Sequence, residues 1–309
     1  MAKKYEEFFS SEADGLKISV LTLVPEGEAC RGIVQLVHGM SEHKERYLPF
    51  MEYLTEKGFV TVIHDHRGHG KSVRNKEDLG YMYGCGAQGM LLDIHMVNQR
   101  TRRRFPKLPL ILFGHSMGSL AVRAYAAEHD DCIDMLIVCG SPSKNPARAL
   151  GVGIARMEKL LFGARHESRL LEVLSFGSYA ARFAKERDKN AWICSDKKVY
   201  KAYGESELCG FTFTDDAYLA LFALMKKAYD IKRWHCTRKK MPVLFIAGAE
   251  DPCIGNVRRF AKAVQAMRSA GYVDVKGKLY QGMRHEILNE TNRKQVYRDV
   301  AVYIGKKGF

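Results

Sequence analysis

The sequence predicts an α/β protein in which helices flank a mainly parallel central sheet and a helical segment is inserted between two strands. Short apolar runs rich in β-branched residues recur along the chain, and amphipathic stretches of helical length separate most of them. That alternation is typical of a parallel sheet covered on both faces. It stops between about 142 and 235, where the residues form several short helical patterns and no strand pattern.

Seven strands and five helices are predicted outside that segment. The strands are predicted at 17–24, 32–37, 59–64, 110–113, 135–139, 243–247 and 275–280. The helices are predicted at 46–57, 86–104, 117–129, 256–270 and 291–306. Because no helical pattern separates the first two strands, we expect them to pair as an antiparallel hairpin at one edge of the sheet.

The interrupted alternation divides the chain into two units. Residues 1–141 and 236–309 should form the core domain, and residues 142–235 should form a helical cap or lid. Such an insertion is expected over the carboxyl ends of the strands, where open α/β sheets place their sites. Within the cap, 154–174 has apolar residues near helical spacing with basic residues around them. It should either pack on the core or present a basic amphipathic face to anionic lipid.

Composition favours a soluble globular protein. Hydrophobic residues make up 46% of the 309 residues, and no apolar run reaches the roughly 20 residues that a spanning helix needs. The N-terminus lacks the apolar core and cleavage site of a signal peptide. The 8 cysteines show no CxxC spacing, which argues against a zinc ribbon and a compact disulfide framework. We therefore expect a cytoplasmic location.

The net charge of +14 favours anionic partners such as acidic lipid surfaces. The densest basic cluster, RTRRRFPK at 100–107, lies where a helix should end, and cations complement a helix C-terminus. It lacks the interleaved aromatic residues of a nucleic-acid platform, so no nucleic-acid partner is expected.

The stretch GHSMG at 114–118 has the Gly-x-Ser-x-Gly pattern of a nucleophile elbow. A strand that turns sharply into a helix strains its apex residue and leaves no room for β-carbons two residues to either side. Gly114 and Gly118 stand at those two positions, with Ser116 at the apex. An apolar strand pattern precedes the motif and a small-residue helix pattern follows it, as the elbow requires.

A serine hydroxyl needs a base that is oriented by an acid, and in this kind of fold the chain order is serine, acid, histidine. His285, in the turn after the last predicted strand, is the one histidine after position 240. The preceding strand is followed by Glu250 and Asp251. We favour Asp251 because Pro252 breaks the structure there and leaves the aspartate in the turn.

Attack on a carbonyl also requires backbone N–H donors for the oxyanion. Met117, next after the serine, supplies one donor. The second should come from the loop after the strand at 32–37, where Gly39 permits close approach and Met40 offers its N–H. His38, in the same loop, is interpreted as shaping the loop rather than carrying a proton.

Two other motifs are weaker. DHRGHGKS at 65–72 ends like a phosphate-binding loop, but Asp65 stands where that loop has its first glycine. His64, His66 and His69 have the spacing of a zinc site, but Gly68 occupies the position of the aspartate that such hydrolases carry. We therefore expect no metal and no organic cofactor.

Five stretches together resemble the α/β hydrolases of the lysophospholipase and monoacylglycerol lipase type, a branch that also includes serine aminopeptidase-like proteins. They are HGMSEHKERY, DHRGHGKS, GHSMGS, GAEDP and GMRHEILNE, in that order along nearly the whole chain. The resemblance implies an α/β-hydrolase fold with an inserted cap that carries the substrate pocket. It implies Ser116 as nucleophile, Asp251 as acid, His285 as base, and the N–H groups of Met40 and Met117 as the oxyanion hole.

The expected function is that of a serine carboxylic-ester hydrolase of the esterase, lipase or lysophospholipase type. Its substrates should be mono-acyl lipid esters such as monoacylglycerols or lysophospholipids. An aminopeptidase or amidase with the same triad is the nearest alternative, and it would need cap carboxylates such as Glu205 and Glu207 to hold a substrate ammonium. A non-catalytic binding protein with this fold is the other alternative. Cys253, two residues after the predicted acid, suggests sensitivity to thiol reagents.

Overall fold

The computed structural model describes residues 2–27 and 30–309. Eight strands form one sheet in the spatial order β1-β2-β4-β3-β5-β6-β7-β8. The strands are β1 (Ala2–Ser10), β2 (Lys17–Pro25), β3 (Gly32–Val37), β4 (Phe59–His64), β5 (Leu110–His115), β6 (Met135–Cys139), β7 (Val243–Gly248) and β8 (Val275–Tyr280).

Nine α-helices lie within the described residues. They are α1 (Leu48–Glu56), α2 (Gly86–Arg104), α3 (Met117–His129), α4 (Arg148–Phe162), α5 (Arg169–Arg182), α6 (Lys197–Glu205), α7 (Asp215–Tyr229), α8 (Val257–Ser269) and α9 (Arg293–Lys306). The five helices predicted outside the inserted segment are all present, with small shifts at some ends. Their apolar faces build one hydrophobic core on each side of the sheet.

The mainly parallel sheet is confirmed: β4, β3, β5, β6, β7 and β8 are successive parallel neighbours. All residues of β3 and β5 are buried, as expected of central strands covered on both faces. The carboxyl ends of these strands therefore meet along one edge of the sheet. The loops that carry the predicted site residues follow β3, β5, β7 and β8 at that edge.

The predicted pairing of the first two strands was wrong. Strand β2 pairs antiparallel with β4 and with β1, and it does not pair with β3. The edge hairpin is formed by β1 and β2. The sequence AKKYEEFFS of β1 concealed this strand because it is mostly polar and, apart from Phe9, exposed. Charged side chains on an edge strand hinder pairing with other chains, so an edge position tolerates this composition.

The segment between β6 and β7 contains α4, α5, α6 and α7. Helix α7 packs against α3 and α2, so it connects this segment to the core. The stretch 154–174 is two helices rather than one, because Gly163 adopts a left-handed φ of 89° after α4. Ser168 then caps α5 by accepting a hydrogen bond from the N–H of Leu171.

The apolar residues of that stretch do not all pack on the core. Leu171 is buried, whereas Met157 and Leu161 of α4 are 58% and 64% exposed. Among the described residues, no helix is both long enough and apolar enough to span a membrane.

Candidate active site

Ser116 lies at the sharp turn between β5 and α3. Its φ of 52° and ψ of −118° place it in a sparsely populated region of backbone space, as a nucleophile elbow requires. Its position immediately before α3 directs its hydroxyl into a region where the helix dipole favours negative charge.

The two elbow glycines are required by close backbone approach. A β-carbon on Gly114 would lie 2.4 Å from the carbonyl oxygen of Gly118. A β-carbon on Gly118 would lie 2.2 Å from the carbonyl oxygen of Val37, at the end of β3. Both contacts are with backbone atoms that cannot move aside, so glycine is needed at both positions to hold Ser116 against the neighbouring strand.

The structure brings Ser116, His285 and Asp251 together although they are far apart in sequence. The Ser116 Oγ lies 2.8 Å from His285 Nε2, and His285 Nδ1 lies 2.9 Å from an Asp251 oxygen. Asp251, not Glu250, contacts the histidine. Its other oxygen accepts a hydrogen bond of 2.8 Å from the N–H of Cys253, which fixes the carboxylate.

This geometry determines the tautomer of His285. An ionised carboxylate can only accept hydrogen bonds, so Nδ1 carries the proton and donates a hydrogen bond to Asp251. The Nε2 atom is then free to accept the hydroxyl proton of Ser116. Burial alone would lower the pKa of His285, but the Asp251 carboxylate raises that pKa well above its ordinary value.

The loop after β3 places Met40 beside the serine. The N–H of Gly39 donates to Glu42 at 2.5 Å, and the N–H of Ser41 donates to His69 Nε2 at 3.2 Å. These two hydrogen bonds fix the backbone on either side of Met40. Met40, Ser116 and Met117 all line the same cavity. A β-carbon on Gly39 would lie 2.6 Å from Glu42 Oε1 and 3.1 Å from the β-carbon of Ser116, so a larger residue here would disturb the Glu42 contact.

A buried ionic network joins this loop to the histidine loop, and sequence reasoning did not find it. The Glu42 carboxylate, which accepts a hydrogen bond from the N–H of Gly39, also accepts one of 2.9 Å from the guanidinium of Arg46. Arg46 in turn donates two hydrogen bonds, of 2.5 and 2.6 Å, to Glu286, the residue after His285. Burial raises the pKa of Glu42, and the Arg46 guanidinium opposes that effect. The stretch HGMSEHKER contained Glu42 and Arg46, but no local pattern indicated their distant partner.

Two of the three histidines considered for metal binding, His66 and His69, make structural hydrogen bonds, whereas neither ring nitrogen of His64 has a hydrogen-bond partner. His66 Nε2 lies 3.1 Å from the carbonyl oxygen of His38, and His69 Nε2 accepts from Ser41. Within the described residues, His64, His66 and His69 do not present convergent ligand atoms. Burial lowers the pKa of His64 to about 3 and that of His69 to about 4, so both rings are neutral at pH 7.

His38 shapes the loop after β3. Its Nε2 accepts a hydrogen bond of 2.9 Å from the N–H of His66, so its proton is on Nδ1. The Nδ1–H group donates a hydrogen bond of 2.8 Å to the carbonyl oxygen of Gly39. Asp65 is the first residue of the DHRGHGKS motif. Its carboxylate accepts hydrogen bonds from the backbone N–H and from the ammonium group of the buried Lys44.

A cavity of about 460 Å³ opens above Ser116 and His285. Its floor is the core, and its walls come largely from the segment between β6 and β7. The indole of Trp192 lies 5.1 Å from the His285 ring, measured between ring centroids. The apolar lining includes Val173, Phe176, Tyr179, Trp192, Phe211, Tyr218, Leu221 and Phe222.

Cys253 also lines this cavity. Its sulfur lies 3.9 Å from His285 Nε2, and burial raises the pKa of the thiol. The thiol is therefore close to the histidine but is mainly protonated at neutral pH, in which state it is a weak nucleophile.

Comparison with known proteins identifies the family. The sequence profile of the family described as "Serine aminopeptidase, S33" matches residues 28–292. A monoacylglycerol lipase of Mycolicibacterium smegmatis is 25% identical over 274 residues, which are 89% of this chain and 88% of that protein. Matches to the rat and mouse monoglyceride lipases span about half of each protein.

Solved structures share the whole fold. A thermostable carboxyl esterase from Bacillus coagulans, in complex with glycerol, is 27% identical and superposes with a TM-score of 0.90 over 99% of both chains. A soluble variant of the Saccharomyces cerevisiae monoglyceride lipase is 20% identical, with a TM-score of 0.75 over 99% of this chain and 95% of that one. With the profile match covering most of the chain and the fold shared throughout, this protein belongs to the serine aminopeptidase S33 family of α/β hydrolases.

Proposed function

We propose that this hydrolase is a serine carboxylic-ester hydrolase in which Ser116, His285 and Asp251 form the catalytic triad. The observation that carries the proposal is the continuous hydrogen-bonded path from the Ser116 hydroxyl through His285 to Asp251. It joins an activated nucleophile, a base and an orienting acid in the geometry of acyl transfer.

The reaction proceeds in two halves. Ser116 Oγ attacks the ester carbonyl carbon while its proton passes to His285 Nε2. Collapse of the tetrahedral intermediate breaks the bond to the leaving oxygen, and His285 returns the proton to the departing alcohol. A water molecule, deprotonated by His285, then attacks the acyl-enzyme, and the acid leaves as Ser116 is restored. The N–H groups of Met40 and Met117 stabilise the oxyanion in both halves.

Mono-acyl lipid esters, such as monoacylglycerols or lysophospholipids, are the proposed substrates. A cavity of about 460 Å³ with a largely aromatic and aliphatic lining suits one acyl chain beside the reacting carbonyl. The names of similar proteins, a monoacylglycerol lipase and a carboxyl esterase crystallised with glycerol, support the same class.

Residues 142–235 act as the cap in this proposal, with 1–141 and 236–309 as the core. Trp192, Tyr179 and Phe176 of this segment line the cavity above His285, which supports a role in substrate selection. Helix α7 packs on the core through α3 and α2. Arg284, next to His285, donates to the carbonyl oxygens of Ala191 and Cys194, so the histidine loop is tied to the cap.

The outer surface of α4 and α5 is proposed to contact anionic lipid. Large apolar side chains there are half exposed or more: Leu150, Met157, Leu160, Leu161, Phe162, Leu170 and Leu174. The exposed Arg156 and Arg169 lie on the same helices. An amphipathic surface with basic residues favours an anionic interface.

Co-sedimentation of the protein with lipid vesicles tests this contact. It should increase with anionic lipid content at low salt and fall in a Leu160→Glu/Phe162→Glu variant. Equal binding to neutral and anionic vesicles would rule out the charge-dependent contact.

The aminopeptidase alternative is less well supported. Glu205 and Glu207, the candidate ligands for a substrate ammonium, are exposed, and Glu207 forms an ion pair of 2.8 Å with Lys76. Neither is among the described residues that line the cavity. The carboxylates of Glu42, Glu172 and Glu286 line the cavity, but the lining is largely apolar, which favours an acyl chain over an ammonium group.

A series of p-nitrophenyl esters from acetyl to palmitoyl tests the ester proposal. We expect hydrolysis to be lost in Ser116→Ala and unaffected by chelator, with a preference for medium or long chains. Hydrolysis that persists in Ser116→Ala and is abolished by chelator would overturn it. A folded wild type that hydrolyses no ester but cleaves aminoacyl p-nitroanilides would instead favour the aminopeptidase. A folded wild type inert towards both, and unlabelled by fluorophosphonate, would favour the non-catalytic binding protein.

A further inference from the structure

A second cluster of potential ligand groups lies in the segment between β6 and β7. Glu158 is on α4, His166 is in the turn between α4 and α5, and Asp215 is the first residue of α7. One ligand atom of each lies within 4.8 Å of the others. None of the three is among the described residues that line the cavity at Ser116. The cluster is therefore separate from the proposed catalytic site.

The backbone holds two of these residues in a fixed relation. The N–H of Asp215 donates to the carbonyl oxygen of His166 at 2.9 Å, and Glu167 forms an isolated antiparallel bridge with Thr214. Thr214 also caps α7, and its hydroxyl donates to the carbonyl oxygen of Gly80. His166 and Asp215 are thus positioned by backbone hydrogen bonds rather than by flexible side chains alone.

One oxygen of Asp215 lacks a partner. The side chain is fully buried, and its Oδ2 lies 2.9 Å from His166 Nδ1. Its Oδ1 is buried without any hydrogen-bond partner. A buried acceptor without a donor is costly, and a neighbouring carboxylate adds repulsion. Asp215 therefore has one buried acceptor oxygen that no donor satisfies, in a cluster with Glu158 and His166.

We propose that Glu158, His166 and Asp215 bind a divalent transition-metal ion, with Zn²⁺ as the best match. Two carboxylates and one imidazole are the ligand types that zinc accepts, each about 2 Å from the ion. Ligand atoms about 2 Å from a tetrahedral ion lie about 3.3 Å apart, so pairs of ligand atoms would have to approach each other by up to about 1.5 Å to close the site. The imidazole and the small number of donors disfavour Ca²⁺, which takes 6–8 oxygen ligands.

Such an ion would connect α4, the α4–α5 turn and α7. Helix α7 contributes Tyr218, Leu221 and Phe222 to the cavity lining. The ion would stabilise the arrangement of the cap and would take no part in ester chemistry.

Metal binding to the full-length protein, first stripped with chelator, tests the proposal. We expect one equivalent of Zn²⁺ by equilibrium dialysis, a rise in Tm on its addition, and a Co²⁺ visible spectrum without a thiolate charge-transfer band. Asp215→Asn and Glu158→Gln should lose all three signals. Glu167→Gln, which neutralises an exposed carboxylate between His166 and Ser168, should retain them.

Two further variants keep the result interpretable. The His166 side chain is 32% exposed, so His166→Gln should fold even if Asp215→Asn does not, and it should also lose the bound equivalent. Ser116→Ala should bind metal like wild type, which separates this proposal from the ester hydrolase proposal. Absence of a bound equivalent in wild type, or binding by His166→Gln and Glu158→Gln equal to wild type, would overturn the metal site.

Discussion

The guanidinium of Arg46 forms two hydrogen bonds with the carboxylate of Glu286, the residue that follows His285. Arg46 also contacts Glu42, which holds the N–H of Gly39 in the loop that carries Met40. One side chain therefore fixes the distance between the proposed oxyanion donor and the proposed base. Arg46 is a positioning residue in this arrangement, since it acts through its neighbours.

Replacement of Arg46 should lower kcat more than it raises KM. Arg46→Met leaves Glu42 and Glu286 buried without their cation, so the free energy of unfolding should fall by about 3 kcal/mol. Displacement of either loop by about 1 Å should reduce kcat by about 100-fold. Arg46→Lys should recover part of kcat, because it restores charge but not the paired geometry. Steady-state kinetics with unfolding in urea checks this, and unchanged kcat in a folded Arg46→Met protein would contradict it.

Asp251→Asn should reduce kcat by about 10⁴-fold with little change in KM. The asparagine amide can donate a hydrogen bond to His285 Nδ1, which stabilises the tautomer with its proton on Nε2, and that tautomer cannot accept the Ser116 proton. Glu250→Gln is the matched control, since Glu250 does not contact His285, and it should retain activity within about 2-fold. Comparable losses in the two variants would exclude the specific role of Asp251.

The pH dependence of kcat/KM should have its acid limb above pH 6.5. The reaction needs neutral His285, and Asp251 raises the pKa of that histidine well above its ordinary value. Activity should therefore rise as pH increases through the raised pKa. In Asp251→Asn, the limb of the residual activity should move to lower pH. A wild-type limb below pH 6 would show that Asp251 does not stabilise the charged histidine.

The sequence was sufficient to locate β2 to β8 and to bring Ser116, Asp251 and His285 into one proposed site. Central strands are buried on both faces, so their apolar runs are visible locally, and each of the three residues follows a strand of the same sheet. Strand β1 and the Arg46–Glu286 pair were missed for a common reason. Their partners are set by contacts between segments that are distant in sequence. The polar composition of β1 does not indicate a strand, and Glu42 and Arg46 have the spacing of an ordinary surface ion pair, which does not indicate a contact with Glu286.

Acid should destabilise the fold through the buried histidines behind the Met40 loop. The folded-state pKa of His64 is about 3, below its usual value of about 6.5. Between these values the unfolded chain binds the proton and the folded chain does not, so stability falls as pH decreases through this window. At pH 5, His64 alone should lower the free energy of unfolding by about 2 kcal/mol relative to its value at neutral pH.

His64→Leu should reduce that acid sensitivity, because neither ring nitrogen of His64 has a hydrogen-bond partner. As pH falls from 8 to 5, the free energy of unfolding of wild type should fall by about 2 kcal/mol relative to that of the variant. A constant difference across this range would mean that His64 does not titrate on unfolding in the way its burial implies.

Gly118→Ala should prevent a stable fold or lower the free energy of unfolding by more than about 3 kcal/mol. Its β-carbon would overlap the backbone at the end of β3, and β3 cannot shift without disturbing the sheet. Gly153→Ala is the matched control within α4, where a β-carbon meets nothing within 4 Å. That change should stabilise the protein by about 0.5–1 kcal/mol. Thermal unfolding of both variants measures the contrast, and similar effects would contradict the elbow packing.

The central claim is that Ser116 is the nucleophile, and identification of the residue that a fluorophosphonate phosphonylates tests it most directly. Intact-mass and peptide mapping after reaction with a fluorophosphonate should show one adduct, on Ser116, whose formation abolishes ester hydrolysis in proportion to labelling. Ser116→Ala should take up no label and retain its fold. An adduct on another residue such as Cys253, or full ester hydrolysis by Ser116→Ala, would contradict the mechanism.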